Sequence, residues 1–184
     1  MKKFTLLLAM LLCLVPVLAS CGGAGSAEAA VETWLDAVYA DGDADVEDVY
    51  AVKLAWNLDV IELIDNDDKA SELEDGVRAA RDGAKNQINK LEEYEEALDD
   101  EDIDDYDVTY EILFCDEYDE DSKVFDAAKE GFMYKGTAIE DELTAIARVG
   151  VLVTEVVEKD GETGTEVDVK EFTVYCIDGN WYIG

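Results

Sequence analysis

Apolar positions along the chain change their period three times. Residues 4–19 are almost wholly apolar, with Leu6, Leu7, Leu8, Leu11, Leu12, Leu14, Val15, Val17 and Leu18 in one run. From residue 27 the apolar positions recur at helical spacing. Val31, Trp34, Leu35, Ala37 and Val38 share one side of a helix expected over 27–40, which Asp41-Gly42-Asp43 ends. Residues 46–64 are apolar all round, with Val49, Tyr50, Leu54, Trp56, Leu58, Ile61 and Leu63. That pattern predicts one buried helix, or two shorter ones broken near Asn57. Asp65-Asn66-Asp67-Asp68 is a break and a source of N-caps. A third helix is expected over 69–98, where Leu73, Val77, Ala80, Ala84, Ile88, Leu91, Tyr94 and Leu98 form one stripe. The stripe also fits a coiled-coil seam, but its small alanines favour packing within the domain.

After residue 105 the period becomes two. Residues 106–115 alternate as a strand does, and a short helix is expected near Val124, Phe125, Ala128 and Phe132. Residues 143–158 are strand-like, with Ala147, Val149, Val151 and Val153 on one face. Asp160-Gly161 has hairpin chemistry, residues 165–177 return as the partner strand, and Asp178-Gly179-Asn180 turns into a last strand at 181–183. Helices first and an antiparallel meander afterwards predict an α+β fold. Its N-terminal helices would pack on one face of a curved antiparallel sheet of about four strands.

The first apolar run has a different meaning. Lys2 and Lys3 precede it, and small residues Ala19 and Ser20 close it before Cys21. A positive start, a short apolar core and a small-residue exit describe a secretory signal peptide. The core is shorter than the ~20 residues of a spanning helix, and the Gly-rich sequence after Cys21 argues against a permanent anchor or a buried helix. Leu18-Ala19-Ser20-Cys21 resembles the lipobox of bacterial lipoproteins. The resemblance implies cleavage before Cys21, a diacylglyceryl thioether on its sulfur, and an acylated new N-terminus. The expected organisation is a signal peptide over 1–20, a lipidated cysteine and flexible tether over 21–29, and a single α+β domain over 30–184. The location implied is the extracytoplasmic face of a cell membrane, inner or outer.

Charge narrows the partners. The chain carries 47 Asp and Glu against 14 Lys and Arg, a net charge of −33. Loss of the signal peptide removes two lysines and no acid. Phosphate backbones need clustered Lys and Arg, so nucleic acid is excluded as a partner. Anionic headgroups repel such a domain as well, so contact with the membrane falls to the lipid on Cys21. Most of this acidity reads as a solubilising surface. Of the four cysteines, Cys13 leaves with the signal peptide and Cys21 is lipidated. Cys115 and Cys176 remain, either as a disulfide pair permitted by an oxidising compartment or as two buried free thiols.

The mature chain resembles the nuclear-transport-factor-two-like superfamily in two stretches. One is Val31-Glu32-Thr33-Trp34-Leu35-Asp36-Ala37-Val38 followed by Asp41-Gly42-Asp43. The other is Val174-Tyr175-Cys176-Ile177-Asp178-Gly179-Asn180-Trp181-Tyr182-Ile183. The resemblance implies a cone, in which a curved sheet wraps helices around a pocket. The helix expected over 69–98 and the acidic run after it depart from that compact pattern.

Candidate chemistry is sparse. With no histidine in the chain, Ser-His and Cys-His nucleophile pairs and His-based metal sites are ruled out. Asp100, Asp102, Asp104 and Glu111 occupy positions one, three, five and twelve of a calcium-loop template, but Asp105 stands where the template needs Gly. They make a weak calcium candidate, and no metal or other cofactor is expected. Trp34, Trp56 and Trp181 are candidates for a ligand pocket, although core is the ordinary place for Trp in a small domain. These readings favour a lipid-anchored binding or accessory domain of the cell envelope. Its ligand would be a small apolar molecule or a protein. The alternative is a pocket enzyme of the isomerase or dehydratase type with a carboxylate base.

Overall fold

The computed structural model describes residues 23–39, 46–99 and 103–184. Cys21 and the signal peptide lie outside the described residues. Helix α1 spans Ala27–Tyr39. Ser26 begins it as an N-cap, its Oγ accepting from the Ala29 N–H at 3.1 Å. The residues just before it are not a free tether. Ala24 exchanges two backbone hydrogen bonds with Trp181, at 3.2 and 2.9 Å. Gly23, at φ 81°, lies so close to the Tyr182 ring that a Cβ would sit 2.8 Å from it. Of the flexible stretch expected over 21–29, Gly23 and Ala24 lie against the last strand and residues 27–29 open α1.

The apolar segment after it folds as three short pieces rather than one buried helix. They are α2, Val46–Val52, a 3-10 turn, Leu54–Trp56, and α3, Asp59–Glu62. Asn57 makes the break. It is 1% exposed, and its Nδ2 donates to Ala51 O at 2.9 Å. Its Oδ1 accepts from the Asp59 and Val60 N–H groups, at 2.9 and 3.2 Å. A buried amide with its partners in place costs little, and here it caps the next turn. Helix α4, Asp67–Asp99, follows. Asn66 Oδ1 accepts from the Lys69 N–H at 2.9 Å, which supplies its cap.

The second half holds β1, Ile103–Tyr118; α5, Lys123–Lys129; β2, Met133–Tyr134; β3, Thr137–Ala138; β4, Leu143–Lys159; β5, Glu162–Ile177; and β6, Asn180–Ile183. The main sheet has the order β1-β4-β5-β6, with every neighbouring pair antiparallel. The fold is α+β, with N-terminal helices packed against this four-stranded antiparallel sheet. Asp160-Gly161 joins β4 to β5 and Asp178-Gly179 joins β5 to β6, all four residues at positive φ. Two-residue turns of this kind match the twist of the strands they join. The β2–β3 hairpin uses Lys135-Gly136 in the same way, a turn the alternation of the sequence does not announce.

Register sorts the core into two layers. Ala147, Val174 and Ile183 are paired across three strands, and Val149 pairs with Cys115 and Phe172. These residues cluster with Ala27, Ala30, Val31 and Leu35 of α1. On the opposite face Tyr118, Ile146, Tyr175 and Tyr182 form the matching row. They cluster with Val60, Ile61, Leu73, Val77, Phe125 and Tyr134. Helices thus cover the lower end of the sheet on both faces, not on one. Gly150 allows one further contact. The ring of Phe114, its cross-strand partner, lies where a Cβ would be, 2.1 Å away.

Candidate functional site

Two of the three tryptophans meet. The Trp34 and Trp56 rings lie 6.1 Å apart at 42°, and Tyr50 meets Trp56 edge-on, also at 6.1 Å. Lys53 Nζ stands 5.1 Å over the Trp34 ring and donates to Gly184 O at 2.6 Å. Burial lowers the Lys53 pKa. Arg81 lies 4.7 Å over Tyr50, and its Nε donates to Trp56 O at 2.6 Å. The Tyr50 hydroxyl completes the loop by donating to Arg81 O at 2.7 Å. These bonds fasten α4 to the turn over 54–56. A half-buried aromatic group with its cations already engaged is a clamp between elements, not an open ligand site. Trp181 is buried in the core layer beneath α1, the same layer against which Trp34 packs. Core is therefore the place of Trp181, and the Trp34–Trp56 pair sits at its margin.

The calcium candidate fails on geometry. Asp100 and Asp102 lie outside the described residues. Asp104 and Glu111 both lie on β1, and seven residues of strand separate them by roughly 24 Å at ~3.4 Å each. A calcium ion needs its oxygens at ~2.3–2.6 Å, so an extended strand cannot bring these two to one ion. Among the described residues, no group of three or more Asp, Glu, Cys or His side chains converges on a metal-sized site.

The disulfide fails too. Cys115 and Cys176 are free thiols. They sit on β1 and β5, with β4 between them, and pair with Val149 and Ala145 respectively. Two strand spacings alone are about 10 Å, beyond the ~7 Å limit between Cα atoms of a bridge. Burial, with Glu28, Glu117 and Asp116 adding to it, pushes the Cys115 thiol up to about 11. It is therefore a poor nucleophile at neutral pH.

One arrangement escaped the sequence reading. Glu28, Glu32 and Asp36 recur every four residues on α1, and the Tyr110 hydroxyl of β1 donates to Asp36 Oδ1. Burial, then Glu28 and Asp36, raises the Glu32 pKa. Burial, then the bond to Asp36, raises that of Tyr110. The four-residue spacing was visible in the sequence. The tyrosine was not, because it arrives from 74 residues away. A carboxylate held toward its neutral form beside a phenol is acid–base equipment in kind. Glu32 and Asp36 are nevertheless exposed to solvent.

A cleft of about 280 Å³ lies between the turn after α3 and the segment before β4. Leu63, Ile64 and Ile139 line it together with Asp65, Glu140, Asp141 and Glu142. Thr137 Oγ1, also in its lining, is buried without a hydrogen-bond partner. No known protein family, curated protein or solved structure matches this chain.

Proposed function

We propose that the protein is a binding or accessory domain held by lipid on Cys21 at the extracytoplasmic face of a bacterial cell membrane. The anchor half of this reading rests on Leu18-Ala19-Ser20-Cys21 and the charged, apolar and small residues before it. Two or more acyl chains give stable attachment, where a single chain dissociates. The non-catalytic half rests on one observation. In the nuclear-transport-factor-two-like cone, the fold to which we assign the domain, the sheet and its helices enclose a pocket. Here Leu35, Val149, Val151, Val174 and Trp181 pack together between α1 and the sheet and are buried. A filled interior leaves the outer surface as the place for recognition. After loss of Lys2 and Lys3 with the signal peptide, the chain carries 47 acidic against 12 basic residues (14 − 2), which favours a protein with a basic face over a small apolar ligand.

The alternative is a pocket enzyme of the isomerase or dehydratase type. Glu32 beside Asp36 and Tyr110 is the arrangement that favours it. A carboxylate base of that type gains its strength in a dry pocket, and this one faces water. The anchor is tested by fractionating cells that express Cys21→Ala. The wild-type protein pellets with membranes and the variant moves to the soluble fraction. A variant that still pellets with membranes after a high-salt wash would rule the anchor out.

A further inference from the structure

Between Glu162 and Phe172, β5 has β4 on one side and no strand on the other, among the described residues. β6 pairs only with Val174–Ile177, and Thr173 O accepts from the Gly184 N–H at 2.9 Å. About 35 Å of strand edge is left, at ~3.4 Å per residue. Every side chain over 162–169 is exposed, so nothing described lies across this edge.

Natural edges carry devices that prevent a further strand from adding, namely bulges, prolines, charged side chains or a covering element. Of these β5 has only charges, at Glu162, Glu166, Asp168 and Lys170, and its three carboxylates there repel an acidic strand and not a basic one. β1, the opposite edge of the sheet, has two register shifts, at Ile103/Asp105 and at Ile112/Phe114. The register of β5 against β4 is unbroken from Cys176 to Glu162, and this stretch contains no proline. Alternation gives the edge a pattern. Glu162, Glu166 and Asp168 project to one face of the sheet, and Thr163, Thr165, Val167 and Val169 to the other. Val167 and Val169 are 57% and 59% exposed. At the lower end the Lys170 ammonium is already occupied, donating to the Tyr39 hydroxyl at 2.6 Å.

We propose that the upper edge of β5 is a docking edge for an extended basic segment of a partner protein. That segment would add as a fifth strand and alternate Lys or Arg with Thr or Val. Its backbone would satisfy the free N–H and C=O groups of β5. Its cations would lie beside Glu162, Glu166 and Asp168, and its β-branched side chains beside Val167 and Val169. A second copy of this chain is the wrong occupant, because the same three carboxylates would face their own copies across the pair. The proposal deepens the binding-module reading of the protein, but its test does not involve Cys21. Failure here would remove the edge while leaving the anchor and the module in place.

The experiment uses the full protein in neutral detergent at physiological ionic strength. The probe is a fluorescent nine-residue peptide, Lys-Thr-Lys-Val-Lys-Thr-Lys-Val-Lys, followed by anisotropy. A second peptide has the same composition with the five lysines in one block. The alternating peptide is expected to bind about tenfold more tightly than the block, because only it presents one chemistry to each face. Glu166→Lys/Asp168→Lys should weaken that binding about tenfold. Glu120→Lys/Glu130→Lys, with the same change in net charge on the exposed segments flanking α5, should leave it within about twofold. Equal binding of the two peptides, or equal losses in the two variants, would mean diffuse attraction to an acidic surface and overturn the proposal. So would concentration-dependent dimerisation of the free protein that Glu166→Lys/Asp168→Lys abolishes.

Discussion

The lower and upper halves of the sheet are built from the same three long strands, yet on β5 only the lower half enters the core. Around Ala147, Val149 and Val174, helix α1 covers one face. Residues of α3, α4 and α5 join Ile146, Tyr175 and Tyr182 on the other. Toward the Asp160-Gly161 turn the pleat and the pairing continue without interruption, while the side chains of β5 pass into solvent. Alternation of apolar and polar residues specifies a pleated strand with two distinct faces. It does not specify what covers either face. Val174 and Val167 are both valines on β5, and one is 0% exposed while the other is 57% exposed.

That contrast can be broken by one substitution made in both places. Val174→Asp puts a carboxylate among Ala147, Ile183 and the core residues of α1, all apolar and buried. A buried unpaired charge is among the few changes that cost more than about 4 kcal/mol. We expect Val174→Asp to abolish cooperative urea unfolding at neutral pH. Val167→Asp should shift the transition by about 1 kcal/mol or less, the span of strand propensity at an exposed site. Similar transitions in the two variants would mean that the helices do not seal the lower half as described.

A smaller effect sharpens the comparison where covered and open surfaces meet. Gly150 and Phe114 form a cross-strand pair in which the ring occupies the space that a side chain would take. Gly150→Ala must push that ring aside, and overpacking of this kind costs about 1–3 kcal/mol. In a Phe114→Ala background the same change should cost little or become favourable, since Ala suits a strand better than Gly. A double-mutant cycle in urea measures the coupling. Additive effects would show that the ring does not rest on Gly150.

Much of this was legible in advance, for identifiable reasons. The start of the α4 stripe at Leu73 and Val77 and the face Ala147, Val149, Val151, Val153 are periodic and buried, and period follows directly from local geometry. Asp-Gly turns were legible because few other dipeptides tolerate two positive φ values in succession. The break near Asn57 was one of two alternatives, but the 3-10 turn that makes three short pieces between Val46 and Glu62 was not legible. An all-round apolar segment has no period to read, and the break depends on the amide of Asn57 finding three backbone partners. The calcium template and the cysteine pair could not be decided in advance for a common reason. Residue types and counts carry no distance, and the strands of this sheet hold Asp104 from Glu111 and Cys115 from Cys176. Tyr110 on Asp36 is the converse case, a contact made only by register over a long separation.

The smallest effect expected is at that last contact, where an exposed ridge meets a covered sheet. Burial and the neighbouring Glu28 and Asp36 raise the Glu32 pKa above its ordinary 4.5. The folded state therefore holds a proton on Glu32 over a range of pH in which the unfolded chain has released it. Stability tied to this group is fully present below the ordinary value of 4.5, and is lost as pH rises through the raised folded value. Glu32→Gln keeps the side chain's shape and removes the titration. Its urea midpoint should lie close to that of the wild type below pH 4.5 and above it at pH 7. The gain at pH 7 should be small and should shrink with added salt, because Glu32 is exposed and its neighbours act through water. A variant that loses stability as pH rises just as the wild type does would show that Glu32 carries no such strain. The carboxylates of α1 would then be an ordinary solvated ridge, and the acid–base reading of Glu32, Asp36 and Tyr110 would lose its main physical support.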